Sequence, residues 1–203
     1  TKAIPTIIPL LNGVNFNLAV TYPQQVNASF TGTNQTAVSI TINTTTITRG
    51  LNYTIGAGNW NITWTMPSNQ NYSSYITQFN LTVSQATPTI TALLNGIYNN
   101  LTITYPQQVN ASGSTTAGTL NIYRGGVLIS NSLNYTLGVS GANNYQFDYN
   151  VSGNQNYTDA YKLIYTNVTQ ARLLGSISGT SSITYGTAGN VQGSETNAGD
   201  GDI

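Results

Sequence analysis

Residues 60–66 alternate without a break: Trp60, Ile62, Trp64 and Met66 fall on one side, and Asn61, Thr63 and Thr65 on the other. A period of two with one apolar face predicts a half-buried antiparallel strand. The pattern returns at 145–151, with Tyr145, Phe147, Tyr149 and Val151 inward and Gln146, Asp148 and Asn150 outward. Other runs rich in β-branched and aromatic residues lie near 16–22, 24–30, 37–43, 51–55 and 75–83, separated by Gly, Asn and Pro turn signals. Their counterparts lie near 99–105, 107–112, 119–123, 133–137 and 161–169. No stretch has a helical period. About seven short strands in each half predict an all-β chain of two sandwiches.

The two halves are copies. TYPQQVNAS occurs at 21–29 and again at 104–112, LLNG at 10–13 and 93–96, and LNYTIG at 51–56 returns as LNYTLG at 133–138. The copies close on similar junctions, VSQA at 83–86 and VTQA at 168–171. A third copy then begins, since SSITYGTAGNV at 181–191 aligns with NNLTITYPQQV of the second. These repeats place one sandwich at 12–86, a second at 87–171, and a C-terminal extension at 172–203 that reads as a partial third repeat. About thirty residues cannot enclose a core, so the extension needs another surface.

The first strand differs between the copies. Thr87, Thr89 and Thr91 give the second repeat a wet face opposite Pro88, Ile90, Ala92 and Leu94, whereas Ile4, Ile8 and Leu10 make much of that face apolar in the first repeat. Strands apolar on both faces are usually buried on both. Residues 1–11 are therefore expected to act as a donor strand, burying Ile4, Ile7, Ile8, Leu10 and Leu11 in a neighbouring copy by strand addition. Packing on the chain's own second domain or on the C-terminal remnant is the alternative.

Composition narrows the function classes. Only 5% of residues are charged and the formal net charge is zero, which makes nucleic acid and anionic membranes unattractive partners. No cysteine is present, so there is no disulfide framework or thiolate metal site. No run approaches the roughly eighteen apolar residues of a membrane span. No basic and apolar leader opens the chain, so Thr1 reads as a mature N-terminus. Little charge and much hydroxyl and amide suit an acidic exterior, because carboxylate-based stability is what acid removes. A neutral-pH adhesin of drifted composition is the alternative.

The residues of catalysis are scarce. There is no histidine, and Asp148 and Asp159 are the only acids within the two repeats. No enzyme activity is expected, no cofactor and no metal. Asp200, Asp202, Glu195 and Asn197 lack the spacing of a calcium loop. Lys2 and Lys162 are the lysines that a Lys–Asn isopeptide bond would use, but such a bond needs a buried acid and the first repeat has none. The tyrosines could stack on sugars, which keeps a carbohydrate-binding module as an alternative, although their inward parity makes most of them core residues.

Thirteen Asn-x-Ser/Thr sequons are present: Asn27, Asn34, Asn43, Asn52, Asn61, Asn71, Asn80, Asn100, Asn110, Asn134, Asn150, Asn156 and Asn167. That is twice what chance pairing of 27 Asn with 49 Ser and Thr would give in 203 residues. Covalent N-linked glycans are expected at most of them, Asn61 and Asn150 included. Residues 1–26 and 168–203 contain none, and these are the segments that assembly would bury.

The run TLNIYRGGVLI, followed by LGVSGANNYQFDYNVSGNQNYTDAY at 137–161, resembles the bacterial and archaeal Ig-like repeat family of surface proteins. Its pattern runs through a "tvtfydgg" strand, a "Gthtitatysgd" strand and an "aNYtgs" turn. The first repeat departs from it, because Asn43–Thr46 replaces the Tyr-Arg-Gly-Gly turn at 123–126. More narrowly, two glycosylated Ig-like domains with no cysteine resemble subunits of archaeal surface threads, filaments in which a terminal strand of one subunit completes the next. The resemblance implies a structural subunit of an extracellular, pilus-like appendage, polymerising head to tail with itself and reaching other cells or surfaces through the filament. A stalk segment of a longer adhesin or S-layer protein is the alternative.

Overall fold

The computed structural model describes residues 1–32, 38–138, 144–172, 175–179 and 182–195. The described residues contain no helix, and each repeat supplies eight strands. In the first these are β1 (Ile7–Leu11), β2 (Leu18–Thr21), β3 (Gln25–Gly32), β4 (Ser39–Ile42), β5 (Thr45–Ile47), β6 (Asn52–Thr54), β7 (Gly58–Met66) and β8 (Tyr75–Ser84). In the second they are β9 (Ile90–Leu94), β10 (Leu101–Thr104), β11 (Gln108–Thr115), β12 (Leu120–Arg124), β13 (Val127–Ile129), β14 (Leu133–Thr136), β15 (Asn144–Val151) and β16 (Ala160–Thr169). A hairpin follows, β17 (Gly175–Gly179) and β18 (Val191–Glu195).

The strands form two Ig-like sandwiches in tandem. The first repeat builds a three-stranded sheet, β1-β3-β6, and a five-stranded sheet, β2-β8-β7-β4-β5. The second builds the corresponding sheets β14-β11-β9 and β10-β16-β15-β12-β13. In each, the chain's first strand lies in the smaller sheet and its second switches to the larger, pairing parallel to the last strand of the repeat. The switch is made at Asn12-Gly13 and Asn95-Gly96, all four residues having positive φ. This is the type I′ geometry that Asn-Gly adopts without strain.

Strand parity comes out as the pattern predicts. Ile62, Trp64 and Met66 are buried in β7, and Phe147, Tyr149 and Val151 in β15, while Asn61 is exposed. Trp60 and Tyr145 point the same way but are only half-buried, because they lie towards one end of their strands. Trp64 donates its indole N–H to the Ser29 carbonyl across the sandwich, at 3.0 Å. Its counterpart Tyr149 donates its hydroxyl to the Leu93 carbonyl at 2.9 Å. Each large core aromatic thus ties the larger sheet to the smaller one by its polar tip.

Residues 1–11 depart from expectation: within the single chain they are the edge of the first sandwich. β1 pairs antiparallel with β3, from Ile7↔Gly32 to Leu11↔Ala28. Ile7, Pro9 and Leu11 are buried, Leu10 is half-buried, and Ile4 and Ile8 are exposed. The physical reason is visible at Gly32, at φ +128°, where any Cβ would collide with the Thr6 carbonyl oxygen. The close approach of β1 is built into β3. Upstream, Ala3 bridges to Tyr72, donating to the Asn71 carbonyl at 2.8 Å.

By contacts the chain divides into two compact units, Thr1–Ile90 with Ser114–Leu120 and Asn150–Tyr161, and Thr91–Gly113 with Asn121–Tyr149 and Lys162–Ile203.

Candidate functional site

Three features are candidates for function: the β1 edge, the hairpin β17–β18, and the sequons.

At the β1 edge, Ile4 is 84% exposed and Ile8 45% exposed. β1 forms a ladder on one side only, with β3. On its outer edge the Ile7 carbonyl accepts from the Tyr75 hydroxyl at 3.2 Å, Pro9 has no N–H and its carbonyl accepts from Asn15 Nδ2 at 2.5 Å, and Leu11 exchanges backbone bonds with Val14. What the edge presents is exposed apolar side chains.

The hairpin repeats the geometry of the first and third strands of a sandwich. In the first repeat Asn12 donates to the Asn27 carbonyl, and in the second Asn95 donates to that of Asn110. These bonds set Gly13 level with Val26 and Gly96 level with Val109. In the hairpin Gly179 is paired with Val191, the same Gly-to-Val register. The pairing of β17 with β18 thus matches that of the first and third strands of each repeat at this point. Ile177, Ile183, Tyr185 and Val191 are all exposed.

The sequons fall into distinct environments. Asn61 and Asn80 are register partners on β7 and β8, both exposed. Asn150 and Asn167 are half-buried on β15 and β16. Asn43 and Asn71 sit exposed in turns. Asn100 accepts from the Tyr165 N–H at 2.9 Å and Asn156 from the Ala57 N–H at 2.9 Å, each through Oδ1. Asn27 pairs with Asn52 across β3 and β6, and Asn110 with Asn134 across β11 and β14. Asn34 lies outside the described residues.

The described acids and lysines contact uncharged groups. Asp148 is half-buried and accepts from Gln146 Nε2 at 2.6 Å, and Asp159 is exposed and accepts from the Gly153 N–H at 2.6 Å. Lys2 lies 3.5 Å from Ser68 Oγ, and Lys162 lies over the Tyr98 ring at 5.6 Å. Neither lysine has the buried acid that an isopeptide bond requires, since neither described acid is buried. Asp200, Asp202 and Asn197 fall outside the described residues, as does the Glu195 side chain. Among the described residues no group of three acids, histidines or cysteines could hold a metal, and no helix is long and apolar enough to cross a membrane.

Two shallow hollows open on the second repeat. One, of about 510 Å³, is lined by Arg124, Thr136, Leu137, Gly138, Asn144 and Tyr145 among others. Tyr145 spends its hydroxyl on the Gly138 carbonyl at 2.7 Å. The other, about 340 Å³, is flanked by the sequon residues Asn100 and Asn167. Neither presents the pair of exposed aromatic platforms that would grip a sugar.

No protein-family description matches the chain. No curated protein matches it either. Among solved structures, the titin domains Z1Z2 in complex with telethonin are similar at 13% identity and a TM-score of 0.40, over 85% of this chain and 100% of that one. The fibronectin(III)-like modules of Clostridium thermocellum CbhA are similar at 12% identity and a TM-score of 0.30, over 80% and 94%. The tandem Ig repeats of Dlar are similar at 8% identity and a TM-score of 0.30, over 82% and 100%. The assignment of Ig-like sandwiches rests on the strand order and register above.

Proposed function

We propose that this chain is a structural subunit of a glycosylated extracellular filament, in which the sandwiches are spacers and copies join head to tail through the N-terminal strand. The observation that carries this reading is the pair of exposed isoleucines, Ile4 and Ile8, on the edge strand β1 and the segment before it. An isolated domain normally blunts an edge strand with charge or proline; β1 has Pro9, yet the exposed positions 4 and 8 are isoleucines. The complementary surface is β17–β18 of the next copy, an opening ladder with Ile177 and Val191 uncovered. A contact between two different surfaces generates an open fibre wherever its rotation does not close into a ring.

The test separates assembly from folding. Ile4→Asp with Ile8→Asp leaves Ile7 and Leu11 in the core, so the variant should fold with an unchanged Tm and remain monomeric in negative-stain images. Deleting residues 1–11 is the poorer experiment, since it removes core side chains as well. Normal filaments from the double variant would overturn the reading. The third-repeat register of β17–β18 favours a second reading, a stalk segment of a longer surface protein. In that case the native product contains a full third sandwich, and Ile177→Asp destabilises it without touching assembly.

A further inference from the structure

The sequon pairs on the smaller sheets are not chemically equivalent. In the first repeat, Asn27 Nδ2 donates to the Gly50 carbonyl at 2.5 Å and to Asn52 Oδ1 at 3.3 Å. In the second, Asn110 Nδ2 donates to the Ser132 carbonyl at 2.9 Å and to Asn134 Oδ1 at 2.9 Å. A carboxamide nitrogen carries two hydrogens, and both are committed in Asn27 and in Asn110. Asn52 and Asn134 use Oδ1 as the acceptor, and among the described residues neither donates its Nδ2. Burial follows the same division: Asn27 and Asn110 are half-buried, Asn52 and Asn134 exposed. The backbone fixes the committed pair further, because Asn12 Oδ1 accepts from the Asn27 N–H at 2.7 Å and Asn95 Oδ1 from the Asn110 N–H at 2.6 Å.

We infer that Asn52 and Asn134 are the glycan acceptors of these pairs, and that Asn27 and Asn110 stay unmodified as the amides that hold them. The inference rests on the glycoprotein reading above and assigns its sites. In the transfer, Asn52 Nδ2 forms a bond to the anomeric carbon of a phosphate-activated glycan while the bond from that carbon to the phosphate oxygen breaks. The phosphate leaves with the electron pair, and the amide nitrogen gives up one proton to a base of the transferase. A glycosylated Asn52 keeps Oδ1, so its bond from Asn27 survives. A glycan on Asn27 would replace a hydrogen already in use and leave a carbonyl or Asn52 Oδ1 without its donor. This holds whether the sugar arrives before or after folding, since the folded state is what the glycan must fit. Cross-strand Cβ atoms lie about 4.5–5.5 Å apart, so two glycans on one pair would also collide near their roots.

Glycopeptide mapping of protein from its native producer is the test. The expected result is glycan at Asn52 and Asn134, with Asn27 and Asn110 bare. Glycan at Asn27 or Asn110 as often as at its partner overturns the inference. Glycan at other sequons with Asn52 and Asn134 bare overturns it while leaving the glycoprotein reading standing. No glycan at any sequon overturns both. A second measurement needs no sugar. In unglycosylated protein, Asn27→Asp turns a double donor into an acceptor facing two acceptors and should lower Tm by at least about 4–8 °C. Asn52→Asp keeps the acceptor and should leave Tm within about 2 °C, well under the shift that about 1 kcal/mol produces in a domain of this size. Equal shifts would remove the geometric basis.

Discussion

Tyr149 shows how much one residue carries at this level of charge. It is fully buried, and burial pushes its phenol above the ordinary value of 10.0. Below pH 10.0 both the folded and the unfolded chain keep the proton. Above it the unfolded chain releases a proton that the folded chain retains, so stability falls as pH rises through that point. Urea unfolding between pH 8 and pH 11 should show this loss, and Tyr149→Phe should flatten it while costing about 1 kcal/mol at neutral pH for the missing bond to Leu93. A variant with the same alkaline slope would mean that other groups cause it. The repeats differ at neighbouring sites too. Thr166 is buried with no partner for its hydroxyl among the described residues, whereas the aligned position of the first repeat is the buried Leu81. An unsatisfied buried hydroxyl costs about 1–3 kcal/mol, and nothing in the structure explains why it is kept.

At the level of elements, β1 is held where it is by Gly32. Replacing Gly32 with Ala forces an unfavourable φ and a clash with the Thr6 carbonyl. The expected cost to the first sandwich is at least about 2 kcal/mol, measured by thermal unfolding, with residues 1–11 becoming sensitive to protease. A variant as stable as the parent would mean that β1 does not depend on this approach. This pairing was not legible beforehand. Alternation located β7 and β15 and their inward faces, because a period of two depends on the strand alone. It marked Ile4 and Ile8 correctly as a departure from the wet face of the second repeat. It missed that Ile7 and Leu11 complete the first core, since an edge strand's partner is fixed by a glycine far along the chain. The short strands β5 and β13 escaped for a related reason: three residues carry too little alternation to read. Thirteen sequons were legible as a motif, but the division between Asn27 and Asn52 depends on cross-strand hydrogen bonds that no motif encodes.

For the molecule as a whole, stability rests on groups that acid does not alter. Residues 1–86 contain no aspartate or glutamate at all, and residues 87–171 contain two, Asp148 and Asp159. The cations lean on uncharged groups. Arg49 donates to the Phe30 carbonyl at 2.9 Å and lies 4.1 Å from the centre of its ring, and Arg124 lies 5.0 Å from that of Tyr135. Acid denaturation works chiefly by protonating carboxylates that the folded state uses, and the first sandwich has none to protonate. Its side chains therefore give acid no purchase. Hydrogen exchange followed by mass spectrometry from pH 7 to pH 2 tests this. Peptides of β3, β7 and β8 should keep the same opening free energies once intrinsic rates are corrected for pH. If the first sandwich opens more readily in acid, its acid response comes from something other than carboxylates.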